Sequence, residues 1–168
     1  MADYSYTPLF LTRDRIPWFP VMGEMHYSRY PKSYGKESLY RMKAGGVDIV
    51  SCYAFWIHHE ERENQFDFSG DRDLRAFLET AKNCGLKVLL RIGPWVHGEA
   101  RNGGFPDWLL QKQIPLRCND LKYLAYVKRY YGQLAAQAKG LLEKDGGPII
   151  GVQIENEYGH VGGSAGDN

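Results

Sequence analysis

The sequence predicts an α/β fold with parallel strands, and three observations predict it. Four short runs of apolar and β-branched residues are spread along the chain, helical patterns separate them, and glycine-bearing turns close the helices. Strand and helix in that alternation imply parallel strands joined by right-handed crossovers. Two architectures fit: an open doubly wound sheet, or the amino-terminal half of a (β/α)8 TIM barrel, about four βα units of a fold that takes ~250 residues in all. No G-x-G-x-x-G follows the first strand, which weakens a dinucleotide site. Gly103-Gly104 precedes Phe105-Pro106 and reads as a loop rather than a phosphate turn.

The strands are expected at Trp18 to Met22, Val47 to Tyr53, Lys87 to Ile92 and Ile149 to Ile154. The first helix, Ser33 to Ala44, puts Leu39 and Met42 on one face and stops at Gly45-Gly46. The second starts near Asp71, spaces Leu74, Phe77, Leu78 and Ala81 helically, and stops at Cys84-Gly85. In the third, Asn119 is the expected cap, and apolar residues recur at three and four from Leu121 to Leu141. Asp145-Gly146-Gly147-Pro148 then closes it.

Composition sets the function classes. The 168 residues are 43% hydrophobic and 24% charged, enough for one globular core and a single domain. The 21 basic and 20 acidic side chains are dispersed, so no tract resembles a nucleic-acid or polybasic membrane patch. No apolar run approaches the ~20 residues of a membrane helix. MADYSYTPLF lacks the basic start and apolar centre of a signal peptide, so a cytoplasmic location is the expectation. Cys52, Cys84 and Cys118 are odd in number and lie outside any CxxC pair, which argues against disulfides and zinc. Adjacent His58, His59, Glu60 and Glu61 do not converge without a backbone turn and lack an evident third ligand, so no metal site is expected. Aromatic content of 14% suits either a core or a sugar site, where flat rings meet the C–H face of a pyranose.

In parallel α/β folds the chemistry sits just after each strand. The four strand ends read Glu24-Met25-His26-Tyr27, Tyr53-Ala54-Phe55-Trp56, Gly93 to Glu99, and Gln153 to Tyr158. Carboxylates, amides, histidines and rings recur there, a set suited to an uncharged ligand rich in hydroxyls. Trp56, Trp95 and Trp108 are candidate stacking platforms, with core or loop packing as the alternative. Alternation along a strand turns Glu155 and Glu157 to one side and Asn156 to the other until the strand breaks. A carboxyl there, desolvated by a ring such as Tyr158, would stay protonated and serve as the general acid of a glycosidase. Spacing alone leaves Glu155 and Glu157 equal candidates, and Asn156 is placed to meet a sugar 2-hydroxyl.

Five segments carry a more specific signal: Met25 to Arg29, Tyr53 to Glu60 (YAFWIHHE), Leu90 to Pro94, Gly103 to Leu109, and Gly146 to Gly159 (GGPIIGVQIENEYG). Through them the stretch from Trp18 to Gly159 resembles glycoside hydrolase family 35, the β-galactosidases. The resemblance implies a (β/α)8 barrel that hydrolyses terminal non-reducing β-D-galactose by a retaining mechanism without a cofactor. It implies Glu157 as acid/base with Asn156 beside it, and Tyr53 and Glu99 as sugar contacts; His97 and Gly98, next to Glu99 at the same strand end, complete the candidate sugar-contacting set. It places the nucleophile on a later strand, so that residue and the carboxy-terminal half of the barrel are expected outside these 168 residues. The implied partner is a β-galactoside oligosaccharide or glycoconjugate.

The sequence departs from the family pattern at two places. His97-Gly98-Glu99-Ala100 stands where the family usually has Cys-Ala-Glu-Trp, and Ile57 where it often has Asn. Both alter the pocket wall and keep open a barrel glycosidase for another β-linked sugar. For the isolated 168 residues, an inactive or merely carbohydrate-binding half-site is the second reading.

Overall fold

A computed structural model describes residues 2–159. Strands β1 (Tyr4–Tyr6), β2 (Leu11–Arg13) and β3 (Ile16–Trp18) form an antiparallel sheet. Strands β4 (Met22–Glu24), β5 (Ile49–Tyr53), β6 (Lys87–Arg91) and β7 (Ile149–Gln153) form a parallel sheet in chain order. Helix α1 (Lys32–Ala44) carries the chain from β4 to β5. Helices α2 (Trp56–His59) and α3 (Leu74–Asn83) lead to β6, and α4 (Asp107–Leu110) and α5 (Leu121–Ala138) lead to β7. Each strand pairs with the next, with no reversal of order. A doubly wound sheet reverses at a switch point, whereas a barrel wall does not, so the parallel sheet is the amino-terminal part of a (β/α)8 barrel.

The first expected strand is corrected. Trp18 closes β3 of the antiparallel sheet, and the first parallel strand runs Met22–Glu24, later than Trp18 to Met22. Pro17 and Pro20 flank the junction, and a proline cannot donate to a ladder. The antiparallel sheet itself had no sequence signal. Its β2–β3 turn is Asp14-Arg15, both at positive φ (53° and 64°), a geometry that usually announces itself by glycine or asparagine.

Helix boundaries shift for local reasons. Asp73 caps α3, accepting from the Ala76 N–H at 2.9 Å, while the expected starter Asp71 accepts the Lys32 N–H instead. Asp120, not Asn119, caps α5 through the N–H groups of Lys122 and Tyr123. Helix α5 ends at Ala138 rather than Leu141, because Gly140 takes a left-handed turn (φ 76°) that returns buried Leu141 to the core. A Cβ on Gly147 would lie 2.0 Å from the Leu141 carbonyl carbon, so only glycine fits that crossing.

Packing fixes which sheet face carries the site. Val50, Cys52, Ala54, Val88 and Leu90 point toward the helices and join Leu74, Leu78, Tyr130 and Leu134 in one core. Tyr53 belongs to a separate cluster with Phe55 and Val96, on the alternate side of β5. Trp56 is fully buried and stacks on Tyr130 with centroids 4.7 Å apart. Its indole N–H donates to wholly buried Glu60 at 2.7 Å. The same carboxylate takes the Asn64 N–H and the Arg129 guanidinium, and the Glu60 carbonyl accepts from Trp108. Glu60, from the metal-like run, is thus a structural hub.

Candidate active site

The carboxyl ends of β4, β5, β6 and β7 bring together polar side chains from all four strands. Arg91, the last residue of β6, is the centre of the group. Its Nη1 donates to Glu24 at 2.9 Å, its Nη2 to the Asn156 side-chain oxygen at 3.0 Å, and its guanidinium carbon lies 3.6 Å from the Tyr53 ring centroid. With the Asn156 oxygen so occupied, its amide N–H groups are left as the donors available to a ligand.

Glu24 also accepts from His26 at 2.8 Å. The Tyr53 backbone N–H donates to His26 Nδ1 at 3.2 Å, which assigns the ring proton to Nε2 and leaves the imidazole neutral. Burial lowers the His26 pKa, with Glu24 opposing and Arg29 reinforcing, in keeping with that tautomer. Burial raises the Tyr53 pKa; Arg91 works against this, while Glu24, Glu157 and Glu99 add to it. Its phenol therefore stays protonated through the neutral range, a donor ringed by three carboxylates.

The two glutamates of the last strand end part company. Strand β7 stops at Gln153, and Glu155 and Glu157 both adopt left-handed backbone (φ 61° and 49°). Alternation no longer governs them. Glu155 accepts from Nε and Nη2 of Arg117, at 3.1 and 2.8 Å, and Arg117 also bonds the Asn156 carbonyl. The Arg117 side chain is only 4% exposed and that of Glu155 18%. Glu157 instead meets His97 Nδ1 at 3.1 Å with its side chain 55% exposed. The desolvation expected from Tyr158 is therefore corrected: that ring lies by Arg117, 5.5 Å from its guanidinium, and Glu157 stays open.

Loop residues 95–104 supply the remaining candidates. His97, Gly98 and Glu99 all have positive φ, which turns the loop back over the strand ends. The Gly98 carbonyl accepts from Arg29 at 2.6 Å. Arg101 pairs with Asp107 and Arg91 with Glu24, so neither is the partner of Glu99. Glu99 lines a polar cleft of about 460 Å³ with Arg29, Arg62 and Arg101, and two of the four altered positions, Ile57 and Ala100, lie on its wall, whereas His97 and Gly98 do not. Of the three candidate tryptophans, Trp56 and Trp108 are core residues, the packing alternative rather than the platform. Trp95 is partly buried between Arg117 and His97. Arg91 and Arg117 are the organisers the sequence did not single out. A lone Arg closing the apolar run KVLLR is a usable signal; Arg117, in a loop 38 residues from Glu155, has none.

Among the described residues no group of three or more His, Cys, Asp or Glu is arranged to hold a metal ion. The arrangement offers an open carboxyl held by an imidazole, a protonated phenol and an amide donor at the strand ends, with the Glu99 carboxylate on the polar cleft beside them.

Comparison with known proteins gives the same direction. Residues 11–166 match the profile of glycosyl hydrolases family 35. The chain is 42% identical over 160 residues to the β-galactosidase of Homo sapiens, covering 95% of this chain and 24% of that protein. It is 43% identical over 148 residues to the β-galactosidase of Xanthomonas manihotis, covering 88% and 25%. The chain thus spans about a quarter of the length of the curated relatives it matches. Among solved structures, the β-galactosidase of Marinomonas ef1 aligns with a TM-score of 0.64 at 20% identity, over 84% of this chain and 22% of that one. An exo-β-1,4-mannosidase of an Opitutaceae bacterium aligns at 0.66 and 17%, over 84% and 25%. At that identity the likeness shows the fold alone.

Proposed function

We propose, from the premise that the chain belongs to glycosyl hydrolases family 35, that it is the acid-bearing part of a retaining β-galactosidase. The observation that carries the reading is the division of labour between two neighbouring carboxyls. Glu155 is locked by Arg117, whereas Glu157 stays exposed to a ligand and is held from one side by His97.

In the first step Glu157 protonates the glycosidic oxygen as the bond to the anomeric carbon breaks. A second carboxylate, about 5 to 5.5 Å from the first in retaining enzymes, attacks that carbon and forms a glycosyl-enzyme. We assign this nucleophile to a later strand, outside the residues described. In the second step Glu157, now a carboxylate, takes a proton from water as the water attacks the intermediate. Asn156 donates to the 2-hydroxyl, a contact that strengthens in the transition state, and Tyr53 and Glu99 engage other hydroxyls. Gly98 shapes the loop through its bond to Arg29. The substrate is a β-galactoside of an oligosaccharide or glycoconjugate, and none of these steps calls for a cofactor.

The test compares the full-length protein carrying this sequence with its Glu157→Gln variant on a natural disaccharide and on a chromogenic β-galactoside. The expected kcat loss on the disaccharide is ~100-fold or more, with a smaller loss on the activated substrate, whose leaving group needs little protonation. Intact disaccharide hydrolysis in Glu157→Gln would transfer the acid role to another group.

A further inference from the structure

We propose that His97 is a positioning residue for Glu157 rather than a sugar ligand, holding one carboxyl oxygen so that the other faces the glycosidic bond. The proposal rests on the reading of Glu157 as acid/base and adds the device that aims it.

The imidazole Nδ1 lies 3.1 Å from Oε2 of Glu157. Both residues leave extended geometry to meet, at φ 55° and 49°. The ring is itself supported from behind: it packs edge-on against Trp95, centroids 5.2 Å apart at 65°. Trp95 is wedged between the Arg117 guanidinium, 4.8 Å from its centroid, and Gly103, where a Cβ would lie 2.1 Å from the indole. Arg117 in turn grips the Glu155 carboxylate and the Asn156 carbonyl. One stack, Arg117 to Trp95 to His97, therefore holds the Glu155–Glu157 segment at both ends. A side chain with this much support behind it is a brace, and the oxygen it leaves uncovered is the one that can reach a substrate.

The experiment uses the full-length protein with a natural β-galactosyl disaccharide. His97→Ala and His97→Asn are each made alone and in the Glu157→Gln background, with folding checked by circular dichroism. His97→Ala is expected to lower kcat about tenfold, with KM changed less than about twofold. Asparagine offers a hydrogen-bonding group near Nδ1, so His97→Asn should recover much of kcat at an unchanged KM. If His97→Ala fails to fold, the deciding result is His97→Asn: a modest kcat loss at unchanged KM that vanishes in the Glu157→Gln background. In the Glu157→Gln background, removing His97 should cost nothing further. A loss that appears in KM and persists in that background makes His97 a sugar ligand and overturns the proposal, as does an unchanged kcat in a folded His97→Ala. Full disaccharide activity in Glu157→Gln alone defeats the acid/base reading first, so the two failures are separable.

Discussion

At the scale of single residues, the site depends on charges that occupy one another. Arg117 and Glu155 form the most buried ion pair of the group, at 4% and 18% side-chain exposure. Removing one partner of a buried pair strands the other charge, which typically costs ~3 kcal/mol or more. Arg117→Met should therefore lower stability in urea unfolding by about that amount, whereas Arg41→Ala, which breaks the exposed Arg41–Glu37 pair, should change it by less than about 1 kcal/mol. Similar losses in both would mean that burial of Arg117 is incidental. The Arg117 pair is also what separates Glu155 from Glu157, and no spacing rule could have separated them, since the deciding partner lies 38 residues away.

Histidine burial sets a pH dependence at the same scale. Nδ1 of His59 is 2.9 Å from the Asp67 carbonyl, so it carries the proton and donates, and Nε2 accepts from the Tyr27 hydroxyl. Burial, first, and the charges of His58 and Arg72 lower its pKa to about 4, against the pull of the Asp67 carbonyl. The unfolded chain binds this proton as pH falls below ~6.5, while the native state resists until about 4. Stability present at neutral pH should thus drain away over that interval, with a slope of up to ~1.4 kcal/mol per pH unit from this group. Urea midpoints at pH 7, 5.5 and 4.5 for the wild type and His59→Gln check it. The variant should show the shallower slope, and equal slopes would contradict the assignment.

At the scale of elements, the sequence was most legible where hydrophobic period and turn chemistry agree. Helix α3 keeps its expected apolar face, with Leu74, Phe77, Leu78 and Ala81 all buried. The cores of β5, β6 and β7 lie inside their expected runs. What failed was local competition for one backbone: two capping residues stand side by side at 119 and 120, and the side chain of the second reaches the helix N–H groups. Asp120→Ala should cost ~1 kcal/mol, as lost caps do, and Asn119→Ala less. Gly147→Ala should be more damaging than either, because its methyl would overlap the Leu141 backbone. Melting temperatures of the three variants rank these effects. The three-stranded sheet escaped notice because its turn breaks the usual rule, with aspartate and arginine where asparagine and glycine are the habitual signal.

At the scale of the whole molecule, the parallel sheet has two open edges among the described residues, β4 and β7. Val152 and Ile154 at the β7 edge are 48% and 66% exposed. Open edges with exposed apolar side chains invite pairing between chains. The 168 residues expressed alone should therefore self-associate in light scattering, and the double change Val152→Lys, Ile154→Lys should reduce it. Fully monomeric behaviour of the unsubstituted chain would show that these edges are protected.

The acid/base role of Glu157 is the claim on which the functional account stands, and one product analysis tests it. In the full-length protein, Glu157→Ala would be given an activated β-galactoside and sodium azide. If Glu157 is the acid/base of a retaining enzyme, the glycosyl-enzyme still forms and azide intercepts it, so turnover rises with azide and the product is the β-galactosyl azide. An α-configured azide would make Glu157 the nucleophile, and wild-type turnover without azide product would remove it from the chemistry.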